Sequence, residues 1–227
     1  MPANAPTYVA WIADLVGSRE LPSADRATVQ RRLHAMMPTL DAVAGTSLVA
    51  GFVVTTGDEF QGLLASTAPL PRLLWEVGVR FDGPAVRVGI GTGPLSTEVR
   101  NDRAIGMDGP AFHHARAAIT DSETFADDAP VFRGFGDLLD RTLDGLARAL
   151  HDRRRGWTAR QREVAIELRA GRSQAAIADT LGISQQAVSK HAAAAGHVTD
   201  TAIEDGLAAA LALAAAKPLA RSDSAPR

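Results

Sequence analysis

Thr55-Thr56-Gly57-Asp58-Glu59-Phe60-Gln61-Gly62-Leu63-Leu64 is the stretch on which the fold of this 227-residue chain turns. An apolar run from Leu48 to Val54 leads into it, and a second run leaves from Phe60 to Leu64. Two apolar runs separated by a short Gly-containing segment read as a β-hairpin over about 48–65. The turn then presents Asp58 and Glu59, adjacent carboxylates, at the tip of a hydrophobic ribbon. Such a pair suits a hard cation, Mg²⁺ or Mn²⁺, which in turn holds phosphates. Gly and Asp also favour turns for purely local reasons, so a plain surface turn stays open.

A second acidic turn lies upstream. Tyr8-Val9-Ala10-Trp11-Ile12-Ala13 reads as a buried strand that delivers Asp14 at its end. Leu15-Val16-Gly17-Ser18-Arg19 follows, a small turn whose backbone amides suit an anion. Two strand-end acidic sites on neighbouring strands are able to share a metal ion across a phosphate. Asp14 and Asp58 are thus the candidate metal ligands. Gly17, Ser18, Arg19, Gly57 and Glu59 are the candidate nucleotide-binding residues.

Between and beyond these turns the elements alternate. Ser23 or Asp25 is placed to cap a helix over Ala27–Val43, with Pro38 expected to kink or shorten it. Pro69 and Pro71 open a second helix carrying Leu73, Leu74, Val77 and Val79. Asp82-Gly83-Pro84 is a turn, and Val86 to Gly93 is a strand. Gly109-Pro110 opens a helix through Ile119. The order matches a ferredoxin-like βαββαβ core in an α+β fold. Gly89, Gly91 and Gly93 read as close backbone packing or a bulge. An acidic loop, Asp121 to Asp128, and a helix from about Gly136 to His151 follow, and Asp152-Arg153-Arg154-Arg155-Gly156 marks a boundary. The expected division is a domain over 1–150, an all-α domain over 151–217 and a disordered tail over 218–227.

Composition is that of a globular protein, with 46% hydrophobic and 22% charged residues. No apolar run is long enough for a bilayer, and Met1 to Pro6 lacks the charge and apolar core of a secretory signal. The cytoplasm is the expected compartment. With no cysteine, disulfides and thiolate metal sites are excluded. Residues 1–150 carry 13 basic and 18 acidic side chains, and residues 151–227 carry 11 and 8. The positive half is where a polyanion would bind.

That half has three capped helices in its sequence. Thr158 and Gln161 form a capping box, Ser173 caps the next helix, and Ser184 a third. Ala178 is small where helices approach, Gly182 supplies a positive φ, and Ile177, Leu181, Ile183 and Val188 share a core. This is the spacing of a DNA-binding helix-turn-helix. A three-helix packing unit with polar outer faces is the alternative. Ser184, Gln185, Gln186, Ser189, Lys190 and Arg172 are the DNA-facing candidates, with Arg153 to Arg155 and Arg160 as further phosphate contacts. A helix after Asp200, carrying Ile203, Leu207, Leu211 and Leu213, packs on its own domain or joins a homodimer.

The segments Ala13 to Ser18, Thr56-Gly57-Asp58, Val86 to Gly93 and Gly106 to Arg116 resemble the class III nucleotidyl cyclase domain. Gly57-Asp58-Glu59-Phe60 resembles the hairpin of GGDEF diguanylate cyclases. Ile12 to Arg19, Gly57 to Leu64, Arg87 to Gly93 and Ala104 to Ala111, with the trailing helices, are similar to the SatD family up to about residue 210. The C-terminal helices resemble MarR-like and sigma region-four units. The cyclase resemblance implies metal binding by Asp14 and Asp58 and a transition-state role for Arg116. It departs at Val54, where a purine-selecting Lys is expected, at Phe112, where an Asn is expected, and at Thr56 in place of a Gly. His113 and His114 are candidates for a polar lining.

These features predict a DNA-binding transcriptional regulator whose cyclase-like domain senses a nucleotide with a divalent metal. The alternative is a divergent metal-dependent nucleotidyl cyclase or nucleotidyltransferase. The expected partners are double-stranded DNA and a small nucleotide, with no membrane.

Overall fold

A computed structural model describes residues 6–55, 57–124 and 128–216, the side chains of Arg19 and Ala216 excepted. The tail over 218–227 and the Arg19 side chain lie outside the described residues. Strand β1 (Tyr8–Leu15) is followed by helix α1 (Ser23–Ala44), strands β2 (Leu48–Val54) and β3 (Phe60–Leu64), helix α2 (Leu70–Trp75) and strand β4 (Val86–Gly93). Helix α3 (Pro110–Thr124), strand β5 (Val131–Arg133) and helix α4 (Asp137–Arg155) come next. Four more helices close the chain: α5 (Ala159–Arg169), α6 (Gln174–Leu181), α7 (Gln185–Ala194) and α8 (His197–Ala216).

The sheet order is β2-β3-β1-β4-β5, with β1 antiparallel to both β3 and β4 and with β5 parallel to β4. The first four strands and their two helices thus form the split βαβ arrangement that the sequence order implies. Strand β1 is apolar on both faces because both are covered. Val9, Trp11, Ala13 and Leu15 join the core beneath α1 and α2, while Ala10 and Ile12 join the cluster beneath α3. With alternation of period two, Asp14 falls on the α3 face.

Glycines decide how closely α3 can lie. A Cβ on Gly91 would stand 2.2 Å from the Ala111 oxygen and the Ala115 nitrogen, and one on Gly89 would stand 2.3 Å from the Ala115 oxygen. The stripe on β4 is therefore a helix seat, the close-packing alternative rather than a bulge.

Several local expectations change. Neither Ser23 nor Asp25 caps α1. Ser23 is its first residue, Pro22 precedes it, and the end is closed by the backbone bond from the Arg26 amide to the Pro22 carbonyl. Pro38 does not end α1, which runs on to Ala44. Helix α3 continues past Ile119 to Thr124, so the predicted acidic loop begins as helix. Strand β5 was not predicted; at three residues it is too short to show a period.

The arginine-rich run is the last turn of α4, where cations complement the helix dipole. Arg154 is buried there rather than offered to a phosphate. It pairs with Asp200 at 2.9 Å and with Glu204, and lies 4.8 Å over the Trp75 ring. Arg155 pairs with Asp128, Arg160 with Glu163 and Arg172 with Glu167.

The three helices α5 to α7 carry the expected caps. Thr158 and Gln161 bond reciprocally, Ser173 accepts from the Ala176 amide, Ser184 accepts from the Ala187 amide, and Gly182 is left-handed. Val164, Ile177, Ala178, Val188 and Ala192 form their small core. Helix α8 places Leu207, Ala210 and Leu211 in the same cluster as the sheet, and the Thr67 hydroxyl donates to the Leu211 carbonyl. Leu213 is exposed. No helix among the described residues is long and apolar enough to cross a membrane.

Candidate functional site

The β1–β3 register pairs Ala13 with Phe60, which brings Asp14 beside Glu59 one residue further on. The β1–β4 register pairs Asp14 with Arg87. The two acidic turns predicted separately are therefore neighbours at one sheet end. Helix α3, seated on the glycine stripe, adds Arg116 and, about two turns later, Glu123.

Each charge has a defined neighbour. One oxygen of Asp14 accepts from Arg87 at 3.1 Å, and the other is buried with no hydrogen-bond partner. Arg87 also pairs with Glu123 at 3.1 Å. Arg116 grips Glu59 through both carboxylate oxygens, at 2.5 and 2.8 Å. The buried Ser18 hydroxyl donates to Asp58. Gly17 and Gly57 are both left-handed, at φ 69° and 63°, which turns the chain sharply beside the carboxylates.

Electrostatics separate the acids. Burial pushes the Asp14 carboxyl above its ordinary range; Arg87 pulls it down, while Glu123, Asp58 and Glu59 push it further up. The hydrogen bond from Arg116 holds Glu59 below its ordinary range, against burial. The same bond raises Arg116. Among the described side chains, four carboxylates, Asp14, Asp58, Glu59 and Glu123, face two guanidiniums, Arg87 and Arg116, a formal balance of −2.

That surplus fits a divalent cation. Among the described residues no group of three or more acidic or histidine side chains converges as a metal cluster. Mg²⁺ is commonly held by one or two carboxylates, with water and phosphate completing its shell. Asp14, through its orphaned oxygen, and Asp58 are the residues that fit.

Arg87 and Glu123 belong to this cluster but were not sequence candidates. The only trace of Arg87 was a charge inside an apolar strand, and its meaning depends on register. Phe112 is buried with Ala10 and Ile12, and Val54 ends β2 opposite Phe60, so neither position offers a polar group. His113 bonds Asp108 at 2.8 Å and His114 bonds the Thr92 carbonyl at 2.7 Å, so neither lines the cluster. On α7, Ser184, Gln185, Gln186, Ser189 and Lys190 are exposed, while Arg172 is also tied to the Thr180 hydroxyl at 2.6 Å.

Among solved structures, the chain is similar to the guanylyl cyclase domain of the RhoGC fusion protein from the aquatic fungus Blastocladiella emersonii. The identity is 12%, over 49% of this chain and 74% of that one, with a TM-score of 0.36. A bacterial light-regulated adenylyl cyclase matches at 12% identity over 56% and 74%, with a TM-score of 0.38. The guanylyl cyclase Cya2 matches at 17% over 58% and 84%, with a TM-score of 0.35. Likenesses of this extent carry no argument about activity. No curated protein matches the chain. The family model of the SatD family matches residues 8–198. The chain belongs to the SatD family.

Proposed function

We propose that the cluster at the end of β1 binds a nucleoside triphosphate together with a divalent cation, as a divergent nucleotidyl cyclase-like or nucleotidyltransferase site. The observation that carries this reading is the orphaned, buried oxygen of Asp14 within a cluster of formal charge balance −2. Asp14 and Asp58 hold the cation; Arg87 and Ser18 fix their other oxygens and so their orientation. A bound cation would neutralise phosphate charge while a hydroxyl oxygen of the acceptor bonds the α-phosphorus, losing its proton to solvent, and the bond to the leaving pyrophosphate breaks. Arg116 is half exposed, and its planar fork suits a phosphate as well as it suits Glu59. An incoming phosphate would exchange for Glu59 on that guanidinium, which would then stabilise negative charge developing on the phosphate oxygens.

The apolar side chains at 54 and 112 leave no hydrogen-bonding group for a base edge. Sites that reject the wrong ligand strongly do so by leaving buried polar groups unpaired, and this one has none at those positions. The proposed site therefore discriminates weakly among bases. Titration of ATP, GTP, CTP and UTP by calorimetry, with and without Mg²⁺ or Mn²⁺, tests it. The expected result is metal-dependent binding of similar strength for all four, lost in Asp14→Ala and in Asp58→Ala. Release of pyrophosphate in the same samples separates an enzyme from a binding site. Metal-independent binding, or binding that survives both substitutions, discards the assignment.

A second reading, a DNA-binding regulator, is favoured by one observation. Gln185, Gln186, Ser189 and Lys190 lie exposed along one helix whose opposite side, Val188 and Ala192, is buried. Among the described residues Lys190 is an exposed cation on that face, while Arg155, Arg160 and Arg172 are paired with acids. Gel retardation of DNA from the protein's own locus, as a function of salt, tests this reading. Lys190→Ala is expected to lower the salt slope by about one. Absence of salt-dependent retardation rejects it.

A further inference from the structure

A separate cavity of about 220 Å³ lies between α2 and the turn leading into β4 on one side and α4, α5 and α8 on the other. Its lining includes Val86, next in the chain to Arg87 of the Asp14 cluster and paired with Leu15 across the sheet. Its volume is about that of seven waters, below the usual range for drug-sized ligands. Leu74, Val77, Phe81 and Leu150 line its apolar part. Asp128, His151, Arg154, Arg155 and Arg162 are the charged and polar residues of its lining.

Most of the described charges around the cavity are paired. Arg154 and Arg169 share Asp200 and Glu204. Asp128 is taken by Arg155 at 3.1 Å and by His151 at 3.0 Å. Arg162 donates only to the Val79 carbonyl, at 3.4 Å, and among the described residues no carboxylate pairs with it. A chamber with apolar walls and, in its lining, a guanidinium that no described carboxylate pairs is complementary to an anion with a compact apolar body.

We infer that this cavity binds a small monocarboxylic acid with an aromatic body, its ring against Leu74, Val77 and Phe81 and its carboxylate on Arg162. The nucleotide reading plays no part in this inference.

The test titrates benzoate and phenylacetate, with their uncharged amides benzamide and phenylacetamide, into the full chain by ligand-observed NMR and calorimetry. At least one acid is expected to bind saturably in the millimolar range or tighter, and its amide at least about tenfold more weakly, as loss of a charged hydrogen bond implies. Arg162→Gln is expected to weaken the acid about tenfold as well. Gly78→Leu provides a second variant, because Gly78 lines the opening and a Cβ there meets nothing within 4 Å. It is expected to abolish binding without lowering the melting temperature. The inference is overturned if neither acid saturates, if the amides bind as well as the acids, or if a folded Arg162→Gln retains full affinity. Should Arg162→Gln not fold, undiminished binding by Gly78→Leu overturns it.

Discussion

Glu59, in the turn between β2 and β3, and Arg116, on α3, form a bidentate ion pair across the end of the sheet. Because Arg116 holds Glu59 below its usual value of 4.5, the pair stabilises the fold above that value and ceases to do so as pH falls through the lowered one. Arg116 is half exposed, so solvent limits the gain to about 1 kcal/mol. Arg116→Met should therefore cost about 1 kcal/mol at neutral pH, with the gap to wild type closing below pH 4.5. Urea unfolding across pH measures this, and a pH-independent gap would count against the pair.

Asp14 has the opposite sign. Burial raises its folded pKa, so folding binds a proton more tightly than the unfolded chain does, and stability declines as pH rises from 3.8 through the raised value. Removing the charge relieves that cost, while Arg87 keeps Glu123 at 3.1 Å. Asp14→Asn is expected to melt no lower than wild type at neutral pH while losing metal-dependent triphosphate binding. A clear drop in melting temperature would make Asp14 a structural residue rather than a ligand.

Two glycine substitutions should move stability in opposite directions. Gly91→Ala drives a methyl group into the backbone of α3, 2.2 Å from Ala111 and Ala115 atoms. Overpacking against backbone that cannot step aside costs about 3 kcal/mol or more, or roughly 6–12 °C in melting temperature. Gly145 sits inside α4 with nothing near a Cβ. Gly145→Ala should add about 0.5–1 kcal/mol from helix propensity alone. Thermal melts of the two proteins side by side decide whether α3 is seated as closely as described.

The buried Arg154 joins α4 to α8 and stacks on Trp75. In Arg154→Met, Asp200 remains buried without its cation, and Arg169 still covers Glu204. An uncompensated buried carboxylate of this kind costs about 3–5 kcal/mol. The loss should be concentrated in α8, seen as faster amide exchange there than in β1 or β4. Uniform acceleration would place the effect in global stability instead.

Much of the arrangement was legible because it is local. The two apolar runs and the turn between them over about 48–65 define the hairpin, and Val86 to Gly93 reads as a strand with the observed ends. Serine and threonine caps announce α5 to α7 because a cap is a contact over three residues. Asp14 and Asp58 stood out for the same reason, each at the end of an apolar run.

What the sequence by itself determined, then, was the set of elements and the two acidic turns, since period, capping and turn geometry act over a few residues. Tertiary structure decided the rest. Register set Arg87 against Asp14 and Glu59 beside it. The glycine seat on β4 brought Arg116 and Glu123 to the same point, and packing of α8 on the sheet turned Arg154 from a presumed surface cation into a buried one. These are pairings across 36 to 73 residues of chain, and side-chain charge alone carries no information on which partner lies across the gap.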